Sequence, residues 1–209
     1  KIFPCKKTIL GDAAQNVNPY SSTTADDIRK ALYKAEIMKL NKSYRSGYEI
    51  TELAKSISGN SEIDVVERHT EKPQLIEVSS REAEDQLMRE MSMEVDVNNP
   101  TSTAYIFKLE KDAIAFFESL GELQKRATLL VSGCQAFTNG IVVTTSHMAK
   151  GLEFDEVVIP NVTKANYNDE MDKSLLYIAC TRAMHRLKMI FCEEHTKFIN
   201  NALCISKKK

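Results

Sequence analysis

Two short segments of this chain join an apolar run to a polar cluster that a packed core does not require. They are TTSHMAKGLEF at Thr144–Phe154 and LLYIACTRAMHRL at Leu175–Leu187. A polar group at the edge of a core needs a hydrogen-bond partner, in the protein or in a ligand. Arg182 lies inside an apolar run, and its guanidinium group is planar, permanently charged and able to donate two hydrogen bonds to a phosphate. The clusters therefore predict a site for a ligand that carries phosphate.

The segments around these clusters alternate between strand and helix patterns. The predicted strands are Glu36–Leu40, Gln74–Val78, Thr103–Phe107, Ala127–Val131, Ile141–Thr145, Glu156–Ile159 and Leu187–Phe191. The predicted helices are Tyr48–Ile57, Arg81–Met93, Lys111–Leu120, Glu170–Ala183 and His195–Leu203. This order predicts an α/β fold with a mostly parallel sheet covered by helices on both faces. The polar residues 41–46 and 146–150 each follow a predicted strand, so we expect them on the rim formed by the carboxyl ends.

Composition excludes several classes of protein. The 209 residues are 43% hydrophobic and 27% charged, with a net charge of −1, so any nucleic-acid contact must be a local groove. No apolar run reaches the ~18 residues of a membrane span. An odd number of scattered cysteines predicts reduced thiols and a cytoplasmic protein. Cys192 and His195 lack a second pair of ligands, so no metal site is predicted. Because the first residue is Lys1, we expect a piece of a longer protein.

Four segments in order resemble the motifs of a known family. GDAAQ at Gly11–Gln15, NKSYRS at Asn41–Ser46 and the two segments above resemble motifs III, IV, V and VI of the UvrD/Rep-like superfamily 1A DNA helicases. GLEFDEVVIP and LLYIACTRAMH are similar to the HelD-like (helicase IV-like) branch. The resemblance implies a three-layer RecA-like domain of the P-loop NTPase type.

The resemblance also implies roles for residues at an ATP site. Arg182 and Arg45 match arginines that reach the γ-phosphate, where they stabilise the charge that is transferred. Gln15 matches a glutamine that senses the same phosphate. Tyr44 matches an aromatic residue that stacks on adenine. Glu153 matches a carboxylate near the ribose, where Gly151 allows the backbone to approach closely.

A second implied set of residues touches single-stranded DNA. His147 and Thr145 belong to the matching motif V. The family's motif III continues with a tyrosine and a tryptophan that stack on bases, whereas this chain has Asn18 and Tyr20 there. Stacking contributes ~1–3 kcal/mol per base, so this departure weakens the expected strand contact, of which Tyr20 keeps part.

The resemblance implies a division into two parts. Residues 1–34 match the end of a first RecA-like domain with motif III, and residues 35–209 match the second domain, called 2A, with motifs IV, V and VI. Too few residues separate motifs IV and V for a large 2B insertion. The sequence contains no GxxxxGK[ST] loop, so ATP and Mg²⁺ would be held mainly by the N-terminal RecA-like domain of the same protein. The chain alone is therefore not expected to hydrolyse ATP.

Three functions fit this sequence. The first is the C-terminal motor domain of an ATP-dependent helicase that binds single-stranded DNA. The second is a HelD-like ATPase domain that remodels or recycles RNA polymerase, and the third is a degenerate structural domain. Each of these residues, taken singly, also has an ordinary structural explanation. Arg45 fits a surface arginine, Tyr44 an aromatic residue at a strand end, and His147 a loop histidine. Glu153 and Lys150 fit a local ion pair that contributes little stability. Their order along the chain favours the motor domain.

Overall fold

The structure is a computed structural model that describes residues 42–59, 63–96, 101–132, 140–199 and 205–207, with residues 8, 27, 30, 31, 36, 38 and 40. The strands are β1 (Lys42–Ser43), β2 (Asp64–Val65), β3 (Gln74–Glu77), β4 (Thr103–Phe107), β5 (Ala127–Leu130), β6 (Ile141–Thr145), β7 (Phe154–Ile159), β8 (Ala183–Phe191) and β9 (Ile205–Lys207). The helices are α1 (Tyr48–Ser58), α2 (Arg81–Glu94), α3 (Glu110–Ser119) and α4 (Glu170–Cys180), with a 3₁₀ turn at Gly121–Arg126.

Seven of these strands form one sheet in the order β5-β6-β4-β7-β8-β3-β9. Each neighbouring pair in that sheet is parallel. A separate parallel pair, β1 with β2, aligns Lys42 with Asp64. Parallel strands need a crossover between them, which explains why helices alternate with strands along the chain. The predicted α/β class and the mostly parallel sheet are confirmed.

Apolar side chains on the two faces of the sheet form two separate cores. On one face, α1 and α4 pack through residues such as Ile50, Ile57 and Ile178. On the other face, α2 and α3 pack through residues such as Met88 and Phe116. Strand β4 is buried along its whole length because both of its faces are covered. The three layers therefore agree with the predicted RecA-like architecture.

Local sequence signals set several helix ends. The Ser80 side chain accepts a hydrogen bond from the Ala83 amide and so caps α2. Asp169 caps α4 in the same way by accepting from the Asp172 amide. Helix α1 ends at Gly59, whose φ of +72° is left-handed, and its N–H donates to the Lys55 carbonyl.

Four predicted elements differ clearly from the structure. Glu36, Met38 and Leu40, the described residues of the predicted strand 36–40, lie outside regular structure, and the two apolar side chains are 85% and 87% exposed. Alternation of apolar residues is not enough when no neighbouring strand is paired with them. Helix α4 ends at Cys180 and β8 begins at Ala183, because Ala183 already pairs with Phe154 of β7.

The predicted C-terminal helix is also wrong for its described residues, His195–Ile199, which form turns. His195 makes an antiparallel bridge with Thr163. The Thr196 hydroxyl donates to the Tyr167 carbonyl at 2.7 Å. These long-range hydrogen bonds are incompatible with a helix at His195–Ile199, and they outweigh the intrinsic helix propensity of the segment.

A buried carboxyl group ties α2 to the loop after β7. Glu84 is fully buried and accepts a hydrogen bond from the Asn161 amide at 2.6 Å. Its other oxygen pairs with Arg81. Burial raises the pKa of Glu84 to about 7, although the Asn161 amide and Arg81 partly oppose that rise. The protonated form of Glu84 is therefore favoured more strongly in the folded chain than in the unfolded chain.

We predict that Glu84→Gln reduces the pH dependence of stability. A raised carboxyl pKa contributes stability that is fully present below the ordinary value of 4.5 and is lost as pH rises through about 7. This contribution is at most about 3 kcal/mol. Urea unfolding at mildly acidic and mildly alkaline pH should differ less for Glu84→Gln than for the unaltered chain. Glu90→Gln, an exposed control on the same helix, should keep the original difference, and equal behaviour of both variants would contradict the prediction.

Candidate nucleotide-facing site

An ion pair joins two segments that lie far apart in sequence. The Arg45 Nε donates to Glu153 Oε1 at 2.5 Å. The two side chains are 36% and 44% exposed. Arg45 precedes α1, and Glu153 directly precedes β7. The structure therefore brings together an arginine and a carboxylate that the sequence assigned to one site.

Arg182 lies beside this pair but does not project from the domain. The residue is 1% exposed. Its Nε donates to the Ile178 carbonyl at 3.2 Å, and its Nη1 donates to the Leu152 carbonyl at 3.2 Å. Its Nη2 donates to the Thr181 hydroxyl at 3.1 Å. The expectation that Arg182 reaches a γ-phosphate does not fit this arrangement, because the guanidinium is buried and already donates to these three acceptors.

The cluster occupies the amino ends of β7 and β8. The Phe154 amide, at the start of β7, donates to the Arg182 carbonyl at 2.9 Å. The Ser46 hydroxyl donates to the Ala183 carbonyl at 2.7 Å. The prediction that this polar segment lies at the carboxyl rim is therefore wrong for its described end. Arg45 and Ser46 lie at the opposite edge, because the turn before α1 is bonded to the start of β8.

The connection 146–153 runs from one edge of the sheet to the other. Strand β6 ends where β4 ends, with Thr145 opposite Phe107. Strand β7 begins where β4 begins, with Glu156 opposite Thr103. Ala149 is fully buried within this crossing. Gly151 has a φ of +90°, a conformation that glycine adopts without strain.

His147 lies on this crossing near the carboxyl edge and is exposed. The predicted strand contact at Thr145 is not supported, because Thr145 is 4% exposed and its hydroxyl accepts a hydrogen bond from the Met148 amide. Gln15 and Tyr20 lie outside the described residues. His147 is thus the one predicted strand-contacting residue that the described part of the chain places at the surface.

Tyr44 presents an aromatic ring beside Arg45. The residue is 69% exposed, an unusual setting for a large ring. The Lys42 Nζ lies 5.6 Å from the centre of the ring. An exposed ring next to a cationic side chain can stack on a planar base while the arginine faces its phosphates. The predicted pair of Tyr44 and Arg45 is therefore accessible.

A cavity lies at the other edge of the sheet, beside the carboxyl ends of β7 and β8. It has a volume of about 290 Å³ and is lined by residues that include Arg81, Asn161 and Glu193. Within the described ranges, no group of three or more histidine, cysteine or acidic side chains could hold a metal ion. No helix in the same ranges is long and apolar enough to cross a membrane.

Sequence reasoning missed Arg68, which contributes to this site. Its Nη2 donates to the Arg45 carbonyl at 2.5 Å. Arg68 belongs to a polar stretch without a strong periodic pattern, and 23 residues separate it from Arg45. No signal in a single sequence could have found this contact, because it depends on how the segment folds back over α1.

Comparisons with known proteins agree with this architecture. Residues 140–190 match the model of the UvrD-like helicase C-terminal domain. This range contains β6, the crossing, β7, α4 and β8, and therefore Glu153 and Arg182. The match covers two of the three segments that supply the ion pair and the buried arginine.

Solved structures resemble the chain over a longer range. The C-terminal domain of a possible DNA helicase from Lactobacillus plantarum WCFS1 is 28% identical, with a TM-score of 0.63, and the alignment covers 80% of this chain and 99% of that one. Arterivirus nonstructural protein 10 (helicase) in complex with DNA is 10% identical, with a TM-score of 0.46. That alignment covers 75% of this chain and 37% of the viral one. No curated protein matched the chain by sequence. The family match and the 28%-identical domain support a helicase C-terminal domain and do not separate the HelD-like branch from others.

We predict that Arg182→Ala destabilises the chain much more than Arg45→Ala. Loss of the buried guanidinium removes the donor of the Leu152 carbonyl and one of the two donors of the Ile178 carbonyl, which keeps the Thr181 hydroxyl. The free energy of unfolding should therefore fall by about 2–4 kcal/mol. The half-exposed pair of Arg45 and Glu153 should contribute less than about 1 kcal/mol. Urea unfolding of both variants measures the difference. Equal losses would show that Arg182 does not hold the edge of the fold together.

Proposed function

We propose that this chain is the second motor lobe of an ATP-dependent superfamily 1 DNA helicase. The observation that carries the proposal is the convergence of Arg45, Glu153 and Arg182 at one edge of a parallel sheet. Segments far apart in the sequence supply these residues, and the same segments carry the resemblance to motifs IV, V and VI. The 28%-identical helicase domain and the family match over residues 140–190 support it.

The residues at this edge fit one side of an ATP site. Tyr44 is exposed and can stack on the base, whereas Glu153 can accept hydrogen bonds from ribose hydroxyls. Arg45 is half-exposed and can turn from Glu153 towards phosphate. ATP would supply the free energy of hydrolysis, and the phosphates with Mg²⁺ would be held by a first RecA-like domain. In this proposal the chain alone binds nucleotide weakly and does not hydrolyse it.

Arg182 acts differently from Arg45 in this proposal. Its guanidinium holds the Leu152 carbonyl, next to Glu153, and the last turn of α4. Direct contact with the γ-phosphate requires it to leave three acceptors. In the arrangement described, it fixes the carboxylate that Arg45 meets, so Arg45 is the better residue with which to test phosphate contact.

The crossing 146–153 connects the proposed nucleotide site to the proposed contact with single-stranded DNA. His147 lies near the carboxyl edge and Glu153 at the amino edge, on one short connection anchored by buried Ala149. A displacement of Glu153 by nucleotide would pass along a segment that its buried residues Ser146 and Ala149 attach to the core. This arrangement supports a role for the crossing in coupling ATP hydrolysis to movement on single-stranded DNA.

We predict that Arg45→Ala in the protein that also contains the first lobe lowers ATP turnover by about 10³-fold, as for other arginines that stabilise transferred phosphate. The reason is that the alanine removes charge stabilisation in the transition state. Steady-state turnover should fall while the Kd for ATP changes little. Lys164→Ala, which removes an exposed surface cation, is the matched control and should keep turnover. Unchanged turnover in Arg45→Ala would contradict the proposed function.

We also predict that His147→Ala weakens binding of a single-stranded oligonucleotide by the same two-lobed protein. One lost contact should lower the affinity by a factor of about ten, and binding of the unaltered protein should weaken steeply with added salt. Fluorescence anisotropy measures both effects. Tight binding to RNA polymerase, with no detectable affinity for single strands, would favour the HelD-like alternative.

A further inference from the structure

A short segment outside the main sheet packs against the turn that carries Arg45. We call residues 63–70 the strap. It begins with β2, whose Asp64 and Val65 pair in parallel with Lys42 and Ser43 of β1. The strap therefore runs alongside the residues that lead directly into Tyr44 and Arg45.

The strap bonds to the backbone on both sides of this turn. The Arg68 Nη2 donates to the Arg45 carbonyl at 2.5 Å. The Arg68 carbonyl accepts from the Tyr48 amide, the first residue of α1, at 2.8 Å. Arg68 thus spans the turn, with its side chain at Arg45 and its main chain at the helix.

Glu49 anchors the end of the strap to the first turn of α1. One carboxylate oxygen accepts from the Thr70 amide at 2.9 Å, and the other lies 2.8 Å from His69 Nδ1. Hydrogen bonds from the Thr70 amide and from His69 lower the pKa of Glu49 to about 2. The anchor is therefore charged at neutral pH and holds the strap through charge-assisted bonds.

The turn itself is enclosed between the strap and β8. The Gly47 amide donates to the Met184 carbonyl at 3.2 Å. A Cβ at Gly47 would lie 2.0 Å from the Thr70 hydroxyl oxygen, which is closer than atoms can approach. The glycine is required here by close packing, and the backbone beside Arg45 has little room to shift.

We propose that Arg68 is a positioning residue for Arg45. It holds the Arg45 carbonyl while β8 holds the Gly47 amide, and so fixes the backbone from which the Arg45 side chain extends to Glu153 and, in the proposed function, to the γ-phosphate. This inference rests on that proposed function. The cationic group acts through the Arg45 backbone and not by contact with the nucleotide.

The size of the expected effect follows from geometry. A displacement of ~1 Å in a group that stabilises a transition state can cost about 10²-fold in rate. Arg68→Ala removes a charged donor from the Arg45 carbonyl, so that this carbonyl is free to rotate while Ser46 and Gly47 remain bonded to β8. Ground-state binding of ATP depends mainly on the other lobe, so kcat should fall with little change in KM.

A double-mutant cycle in the two-lobed protein tests this inference. Arg68→Ala should lower kcat by about 10- to 100-fold with KM for ATP changed less than about threefold, and Arg68→Lys should recover part of the loss. In an Arg45→Ala background, Arg68→Ala should have no further effect, because both changes act through one guanidinium. Glu49→Gln, which loosens the other end of the strap, should lower kcat in the same way. Arg89→Ala, a control on α2 where Arg89 donates to Gln86, should leave kcat unchanged.

The possible outcomes separate the role of Arg68 from the proposed function. Additive effects of Arg45→Ala and Arg68→Ala would overturn the inference and show that Arg68 acts independently. Full activity of Arg68→Ala, with Arg45→Ala inactive, would overturn the inference alone and leave the proposed function intact. Full activity of Arg45→Ala would overturn the proposed function itself. If Arg68→Ala lowers the unfolding midpoint, Arg68→Lys and Glu49→Gln replace it in the cycle, and additivity there counts equally against the inference.

Discussion

A buried guanidinium determines how the amino edge of this sheet is built. Arg182 is 1% exposed, yet its nitrogens donate to the Ile178 and Leu152 carbonyls and to the Thr181 hydroxyl. A charge is tolerated inside a protein only when such partners surround it. Because one partner lies in α4 and another directly before Glu153, the same group fixes the end of a helix and the start of β7. The position of Glu153, and with it that of the ion pair with Arg45, therefore depends on Arg182.

The two edges of the sheet carry different chemistry. At the amino edge, the charged side chains of Arg45, Glu153 and Arg68 are exposed or half-exposed, and the strap packs beside them. The carboxyl edge holds His147 and, farther along, the cleft beside buried Glu84. The connection 146–153, like the other crossovers of this parallel sheet, runs from the carboxyl edge to the amino edge. In the proposed function, this connection would couple the nucleotide at one edge to the strand at the other, because its buried residues Ser146 and Ala149 limit independent movement of its two ends.

The charged side chains of this domain form local clusters, whereas its net charge is close to zero. The net charge is −1, so no broad positive field draws in an anionic ligand. Instead, Lys42, Arg45 and Arg68 lie together on the β1 strand, the turn and the strap. Glu153 pairs with Arg45, and Glu49 holds the strap. Selectivity for a phosphate-bearing ligand would therefore come from the placement of a few side chains, which makes the elements that hold them as important as the side chains.

The sequence by itself determined most of the architecture. Strands Thr103–Phe107 and Ile141–Thr145 were predicted at their observed bounds, because continuous β-branched and apolar runs between turn signals have few alternatives. The cap at Ser80 was predictable because its hydrogen bond is local. The predicted C-terminal helix failed at His195–Ile199, where long-range hydrogen bonds to Thr163 and Tyr167 override helical spacing.

The resemblance of three ordered segments to helicase motifs also implied that Arg45, Glu153 and Arg182 belong to one site. Only the tertiary structure decided that this site lies at the amino edge of the sheet, that Arg182 is buried, and that Arg68 supports Arg45. The physical reason is the range of the forces involved. Hydrophobic periodicity and caps act within a few residues, whereas the burial of a charge and the partner of a carbonyl depend on which distant segments pack against them.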